Sequence, residues 1–206
     1  MQLRRLAQAG AEGSDTLAAV MEALLISIGI VALAEIGDKT QLLTLVLAAR
    51  YRKPWPIVAG IFVATLINHG VAGAVGAWVT SVLGPDTMRW VLGLSFLAMA
   101  GWMLIPDKLD DDTGESRRIG GVFLTTAVVF FFVEIGDKTQ IATVALAARF
   151  DSLPAVVLGT TIGMLLANAP VAFFGDAIAK RLPVPIIHRI AAGVFALLGL
   201  GVLIAG

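Results

Sequence analysis

Long apolar segments alternate with short polar breaks along nearly the whole chain. Prolines, glycines and charged residues delimit six of these segments. They cover about residues 22–49, 56–81, 87–105, 119–148, 154–179 and 186–205. A helix that crosses a bilayer needs about 20 apolar residues, so each segment is long enough to cross one. The pattern therefore predicts an all-α, polytopic membrane protein with six transmembrane helices.

The composition favours the same class of protein. Of the 206 residues, 58% are hydrophobic and 15% are charged, and the mean hydropathy is +0.89. Soluble domains are about 45–50% apolar and about 25% charged. The formal net charge is zero, so nothing in the composition indicates a nucleic-acid partner. The sequence contains no cysteine, which excludes disulfides, thiolate metal sites and cysteine nucleophiles.

The first twenty residues are more polar than the rest, and Met21 directly precedes the first long apolar segment. Arg4 and Arg5 are not followed by the apolar stretch of about 7–15 residues that a cleavable signal requires. We interpret residues 1–20 as a leader that is disordered or was added ahead of the natural start. A short helix on the membrane surface is the alternative interpretation.

The sequence contains an internal repeat with an offset of 99 residues. The stretch "AEIGDKTQ" at 34–41 returns as "VEIGDKTQ" at 133–140, and 35–50 matches 134–149 at twelve of sixteen positions. The predicted division is a first three-helix repeat at 21–106, an acidic linker at 107–118 and a second three-helix repeat at 119–206. Because three crossings reverse the direction of the chain, we expect the two three-helix repeats to be inverted relative to each other.

Lysine and arginine residues are distributed unequally between the two sides of the predicted bundle. Nine lie in the loops after the first, third and fifth segments, and four lie on the opposite side. By the positive-inside rule, the side with nine faces the cytoplasm. This orientation places both termini outside and the linker at 107–118 in the cytoplasm, and a bacterial inner membrane is the expected location.

The repeated tract places charged residues in the middle of apolar segments. Glu35 lies thirteen residues after Glu22, which is about 20 Å along a helix and near mid-membrane. A charge at that depth costs about 2.5–3.5 kcal/mol on insertion scales. Glu35 and Asp38 are three residues apart, so we expect both carboxylates on one helix face. If the two tracts meet at the midplane, four carboxylates come together: Glu35, Asp38, Glu134 and Asp137.

This predicted cluster is a candidate metal site. Its four carboxylates and the ammonium groups of Lys39 and Lys138 sum to a charge of −2, which one divalent cation or two protons would balance. Further oxygen ligands are available from Gln41, Gln140, Thr40 and Thr139. Hard oxygen ligands suit Ca²⁺, Mn²⁺ or Mg²⁺. Metal binding to crowded carboxylates also favours coupled proton release.

Glycine and asparagine residues near the tract are expected to support this site. Gly37 and Gly136 permit close backbone approach or local unwinding. The first and fourth segments, each near 28 residues, must tilt or break to fit a bilayer. Asn68 and Asn168 either line the ion path or form hydrogen bonds between helices.

Two of the polar residues also have interpretations that do not involve cation binding. An ion pair between Glu35 and Lys39, four residues apart, would be purely structural, but it leaves Asp38 without a partner. His69 has no counterpart in the second repeat, where Ala169 stands, and it is therefore ranked low as a ligand.

The tract Glu-x-Gly-Asp-Lys-Thr, present twice, resembles the signature of the UPF0016 family. This family is also called the Gdt1 family of cation/proton exchangers and includes bacterial manganese exporters. The resemblance covers residues 21–206. It implies export of Mn²⁺, or in eukaryotic relatives movement of Ca²⁺ or Mn²⁺, in exchange for protons. It also implies that Glu35, Asp38, Glu134 and Asp137 bind the transported ion, without any other cofactor.

Other functions are less consistent with the sequence. The alternative is a divalent-cation channel or uniporter in which the same acids form a selectivity filter. Intramembrane aspartyl proteases have glycine in their Gly-x-Gly-Asp tract where this chain has Glu35 and Glu134, which argues against an enzyme. No P-loop sequence is present, so transport against a gradient must use another ion gradient.

The expected partners are divalent metal ions, protons and the lipid bilayer. The oligomeric state is open, with a homodimer among the options.

Overall fold

The computed structural model describes the backbone of residues 2–105, 120–175 and 183–205, and most side chains from residue 13 onward within these ranges. These residues fold as helices without any strand among them, which confirms the all-α prediction. The helices are α1 Gln2–Glu35, α2 Lys39–Tyr51, α3 Pro54–Val82, α4 Pro85–Trp102, α5 Val122–Glu134, α6 Lys138–Arg149, α7 Leu153–Phe174 and α8 Val184–Ala205. The predicted linker at 107–118 lies outside the described residues.

Four helices are long and apolar enough to cross a membrane: Gly13–Glu35 within α1, Pro54–Val82, Leu153–Phe174 and Val184–Ile204. Helix α5 is also apolar but has only 13 residues. Large apolar side chains such as Trp78, Leu197 and Ile204 are exposed, whereas many charged and polar side chains are buried. This arrangement is the reverse of a soluble protein and is typical of a lipid-facing surface. The chain is an integral membrane protein.

The first and fourth apolar segments are each broken into two helices. Helix α1 ends at Glu35 and α2 begins at Lys39; α5 ends at Glu134 and α6 begins at Lys138. These long segments were predicted to tilt or break, and both of them break. The prediction that Glu35 and Asp38 share one helix face is wrong, because the helix ends between them. At the other end, α1 begins at Gln2, so its helical backbone runs on through most of the predicted leader at 1–20.

Helices of the first repeat pack against helices of the second repeat. Helix α1 packs against α7, and α3 packs against α5. A Cβ atom placed on Gly159 would lie 2.7 Å from Cβ of Ser27, and one on Gly60 would lie 2.7 Å from Cβ of Thr126. Ser27 and Thr126 are 99 residues apart, as are Gly60 and Gly159, so the same close approach occurs twice. The second long helix of each repeat therefore packs on the first helix of the other.

The remaining contacts place the two helix breaks inside the molecule. Helix α3 also packs against α6 and α7, and α2 packs against α7. Helix α4 packs against α8, where the rings of Phe96 and Phe195 lie 6.3 Å apart. The acids at the two breaks are consequently buried between helices of both repeats, whereas Ile135 and Gly136 of the second break are exposed.

Candidate cation site at the helix breaks

Both helix breaks have the geometry of a type II β-turn. The backbone N–H of Asp38 donates to the carbonyl of Glu35 at 3.1 Å, and Asp137 donates to Glu134 at the same distance. Gly37 has φ +84° and Gly136 has φ +77°. A type II turn requires a positive φ at its third residue, which glycine adopts without steric cost. The Glu-Ile-Gly-Asp sequence therefore specifies the break locally in each repeat.

Side-chain hydrogen bonds stabilise the two turns in the same way. The amide oxygen of Gln41 accepts from the backbone N–H of Gly37 at 2.9 Å, and that of Gln140 accepts from Gly136 at 2.7 Å. Asp38 is the N-cap of α2, and Asp137 is the N-cap of α6 and accepts from the N–H of Lys138 at 2.8 Å. Such caps satisfy N–H groups that have no partner within the helix. The two glutamines predicted as metal ligands are thus engaged in holding the turns.

We expect Gly136→Ala to lower the stability of the protein by about 1–2 kcal/mol, because an L-residue in the left-handed region costs that much. A Cβ atom at Gly136 would meet no other atom within 4 Å, so the loss would report backbone strain alone. Gly37→Ala should cost more, since its Cβ would lie 2.2 Å from Cγ1 of Val184. Thermal unfolding of the purified protein in detergent would measure both losses.

Gly29→Ala is the matched control, because Gly29 lies within α1 and its Cβ would also meet nothing within 4 Å. Alanine is preferred over glycine inside a helix, so this variant should unfold no earlier than the wild type. A Gly136→Ala protein as stable as Gly29→Ala would show that the turn does not require a positive φ.

Three of the four predicted carboxylates come together between the two breaks. Glu35, Asp38 and Asp137 are all buried, and one carboxylate oxygen from each lies within 4.8 Å of the others. Two of these acids come from the first repeat and one from the second. Unpaired burial of three negative charges is strongly unfavourable, so the group must be balanced by cations, protons or hydrogen-bond donors.

Each lysine of the tract contacts the aspartate of the other repeat. Lys39 Nζ lies 3.4 Å from Oδ1 of Asp137, and Lys138 Nζ lies 3.9 Å from Oδ1 of Asp38. The alternative of a structural ion pair between Lys39 and Glu35 is therefore wrong. The break at Gly37 turns the chain, so the spacing of four residues no longer brings these two side chains together as it would on a continuous helix.

Glu35 is held by polar groups from both repeats. Its Oε2 accepts a short hydrogen bond from the hydroxyl of Thr40 and a longer one, 3.5 Å, from Nδ2 of Asn168. The hydroxyl of Thr44 donates to Oδ1 of Asn168 at 2.7 Å and so orients the amide. Asn168 thus joins α7 of the second repeat to the acid at the end of α1.

Glu134 lies in a related but different environment. Its Oε2 accepts from the hydroxyl of Thr65 at 3.3 Å and from Nδ2 of Asn68 at 3.4 Å. Its Oε1 lies 2.9 Å from Nε2 of His69, although the angle falls outside hydrogen-bond geometry. Glu134 and His69 are both completely buried. The predicted gathering of all four carboxylates is thus only partly correct, because Glu134 faces His69 and is not among the three clustered acids.

Sequence reasoning ranked His69 low, whereas the structure places its side chain beside Glu134. The low rank of His69 followed from the absence of a histidine in the second repeat. The signal that could have identified it is its position next to Asn68, since Asn68 and Asn168 each contact the glutamate of the other repeat. Thr40 contacts Glu35 directly, and Thr139 is buried at the second break.

The fold and the buried acids define a membrane protein with an internal charged centre, and comparison with known proteins identifies its class. The family model described as "Divalent cation/proton antiporter GDT1" matches residues 23–111 and 122–206. The chain therefore belongs to the GDT1 family of divalent cation/proton antiporters, which confirms the resemblance noted in the sequence. The family is one of transporters, so the protein is not an enzyme.

Individual relatives come from bacteria and plants. The chain is 56% identical over 182 residues to the Vibrio cholerae protein named "Putative manganese exporter", covering 88% of this chain and 90% of that protein. It is 27% identical over 213 residues to "GDT1-like protein 3" of Arabidopsis thaliana, covering 90% and 70% of the two chains. A GDT1-like protein of Synechocystis is 25% identical over 184 residues, covering 74% and 84%. No solved structure shows significant similarity to this chain.

Proposed function

We propose that this protein is a secondary transporter that exports Mn²⁺ from the cytoplasm in exchange for protons, with Ca²⁺ as the competing candidate ion. The observation that carries the proposal is the buried cluster of Glu35, Asp38 and Asp137, whose oxygens lie within 4.8 Å of one another. Carboxylate oxygens at this spacing can share one divalent ion. The name of the Vibrio cholerae relative favours manganese as the cargo.

The electrostatics of the breaks also support cation binding. The carboxylates of Glu35 and Glu134 terminate α1 and α5, where the helix dipole already contributes negative charge. Lys39 and Lys138 begin α2 and α6, where the dipole contributes positive charge. Both placements oppose the usual helix preferences, and such local conflicts are expected at functional sites. A divalent cation near the two glutamates would relieve part of this conflict.

We further propose that the transport cycle uses two inverted three-helix repeats, at 21–106 and 119–206, joined by the linker at 107–118. In this arrangement α1 with α2 forms one crossing, α5 with α6 forms another, and α3, α4, α7 and α8 form one each, which gives six crossings. The exchanged contacts of α1 with α7 and α3 with α5 support a two-fold relation between the repeats. Rocking of the repeats about the central acids would expose the site to one side at a time.

The proposed orientation follows from the distribution of basic residues. The side with nine lysines and arginines would face the cytoplasm, with both termini outside. The cation would then approach the cluster from that side and leave on the opposite side, while protons move inward.

Reconstituted vesicles with a trapped pH dye would test the proposed exchange. Mn²⁺ and Ca²⁺ would be supplied separately, with and without an imposed pH gradient. We expect uptake of Mn²⁺ that depends on the gradient and is matched by proton movement in the opposite direction. Empty vesicles with the same gradient provide the control for leakage. Metal flux that is indifferent to pH would contradict antiport and would favour a channel or uniporter.

A further inference from the structure

The two lysines at the breaks are equivalent in sequence but not in structure. Lys39 and Lys138 are 99 residues apart, and each contacts the aspartate of the opposite repeat. The side chain of Lys39 is 25% exposed, whereas that of Lys138 is 1% exposed. Lys138 Nζ also donates to the carbonyl of Ile105, beyond the end of α4, at 3.3 Å. The ammonium group of Lys138 is therefore held by two contacts, whereas the side chain of Lys39 has open space into which it can move.

We propose that the ammonium group of Lys39 competes with the transported metal ion for Asp137, while Lys138 has a structural role and holds the two repeats together. This inference rests on the proposed function of the carboxylate cluster. Lys39 contacts one of the three clustered carboxylates, so its positive charge opposes a metal ion that binds Asp137, and the ion favours displacement of the ammonium group. The partial exposure of Lys39 leaves room for its long side chain to move away from Asp137 after displacement.

The charge arithmetic explains how such a competitor would work. When all three are ionised, Glu35, Asp38 and Asp137 carry three negative charges, which the two ammonium groups reduce to −1. A divalent ion that displaces Lys39 is held by three carboxylates, with Lys138 still in place. When the ion leaves, Lys39 returns to Asp137, so a positive charge again balances the buried aspartate. The lysine therefore weakens metal binding and speeds release.

A substitution that removes the charge of Lys39 should make metal binding tighter. We expect Lys39→Gln to bind Mn²⁺ at least about tenfold more tightly than the wild type, since a nearby positive charge no longer opposes the ion. In transport, KM should fall, and kcat should fall as well because release becomes slower. Titration of the purified protein with Mn²⁺, followed by the paramagnetic resonance signal of the free ion, would measure the affinity.

Two matched variants separate competition from a structural role. Lys39→Arg keeps the charge and should bind Mn²⁺ within a few-fold of the wild type. Lys138→Gln removes the equivalent charge in the other repeat; because the metal ion does not have to displace Lys138, this variant should tighten Mn²⁺ binding less than Lys39→Gln does, and it should lower the temperature of thermal unfolding. If Lys39→Gln binds Mn²⁺ as weakly as the wild type, or more weakly, Lys39 is not a competitor.

Chemical labelling of the wild-type protein gives a test that does not depend on the folding of a variant. An amine-reactive reagent is applied with and without saturating Mn²⁺, and the modification of each lysine is measured by mass spectrometry. We expect the labelling of Lys39 to rise several-fold with Mn²⁺ relative to the exposed Lys53, while Lys138 stays unlabelled. Labelling of Lys39 that is unchanged or reduced by Mn²⁺ would overturn the proposal.

The same titration distinguishes failure of this inference from failure of the proposed function. If the wild type binds no Mn²⁺, or Glu35→Gln binds it as well as the wild type, the cluster is not the cation site and both proposals fall. If the wild type binds Mn²⁺ through Glu35 but Lys39→Gln shows no gain in affinity, only the role of Lys39 is wrong.

Discussion

Glu35→Gln is expected to lower the rate of Mn²⁺ transport by at least about a hundredfold while leaving the protein folded. Glutamine has the same shape, and its oxygen can still accept hydrogen bonds from Thr40 and Asn168. The variant therefore removes a negative charge from the buried cluster with little change in packing. By analogy with the loss of one partner from a buried charge pair, removal of this charge beside the bound cation should cost about 3–5 kcal/mol, which corresponds to a factor of about 10² to 4 × 10³. Initial rates of Mn²⁺ uptake into reconstituted vesicles would measure the effect.

Glu22→Gln is the matched control for this prediction. Glu22 lies on the same helix, α1, but its side chain is exposed. The same chemical change there should leave uptake near the wild-type rate. Circular dichroism and size-exclusion chromatography would show whether both variants keep their helices and remain monodisperse. A folded Glu35→Gln protein that transports Mn²⁺ at half the wild-type rate or more would refute the central role of this acid.

The helix breaks could be predicted from the sequence because their cause is local. A segment near 28 residues is too long for one straight crossing, and Gly37 and Gly136 each lie between two acidic residues in the middle of such a segment. The turn that results involves only four consecutive residues, and the same residues occur at both breaks. The gathering of Glu35, Asp38 and Asp137 followed from the further assumption that the two tracts meet, which the repeat itself suggests.

The partners of the charged groups could not be predicted, because they depend on distant parts of the chain. On a continuous helix Lys39 would lie beside Glu35, and only the turn directs it to Asp137 in the other repeat. Likewise, Asn168 reaches Glu35 because α7 packs on α1, a contact between segments more than a hundred residues apart. Helix periodicity contains no information on such contacts, since every face of these segments is apolar enough to be buried.

The difference between Glu35 and Glu134 shows the limit of reasoning from the repeat. Identical tracts predict identical environments, yet Glu134 contacts His69, while the aligned position in the second repeat is Ala169. The two breaks are therefore equivalent in backbone and different in electrostatics. Two acids in unequal surroundings differ in their affinity for a cation, and such a difference suits a transporter that moves two kinds of cation in opposite directions.

His69→Ala is expected to reduce Mn²⁺ transport by about tenfold to a hundredfold and to lower the temperature of thermal unfolding. Nε2 of His69 lies 2.9 Å from Oε1 of Glu134, and both side chains are completely buried. Without the imidazole, Glu134 would lose this close polar contact and keep its hydrogen bonds from Thr65 and Asn68. A buried carboxylate that loses a partner is destabilised, and a loosely held functional group loses activity. Uptake assays and thermal unfolding in detergent would measure the two effects.

Two further variants relate the effect of His69→Ala to its contact with Glu134. Thr65→Val removes a single hydrogen bond of 3.3 Å from the same carboxylate and should therefore have the smaller effect on transport. His69→Gln keeps a buried polar side chain at this position and should restore part of the lost activity. If His69→Ala equals the wild type in transport and thermal stability, Glu134 does not need its contact with the imidazole. In that case the difference between the two breaks would have no role in transport, because His69 is what distinguishes the surroundings of Glu134 from those of Glu35.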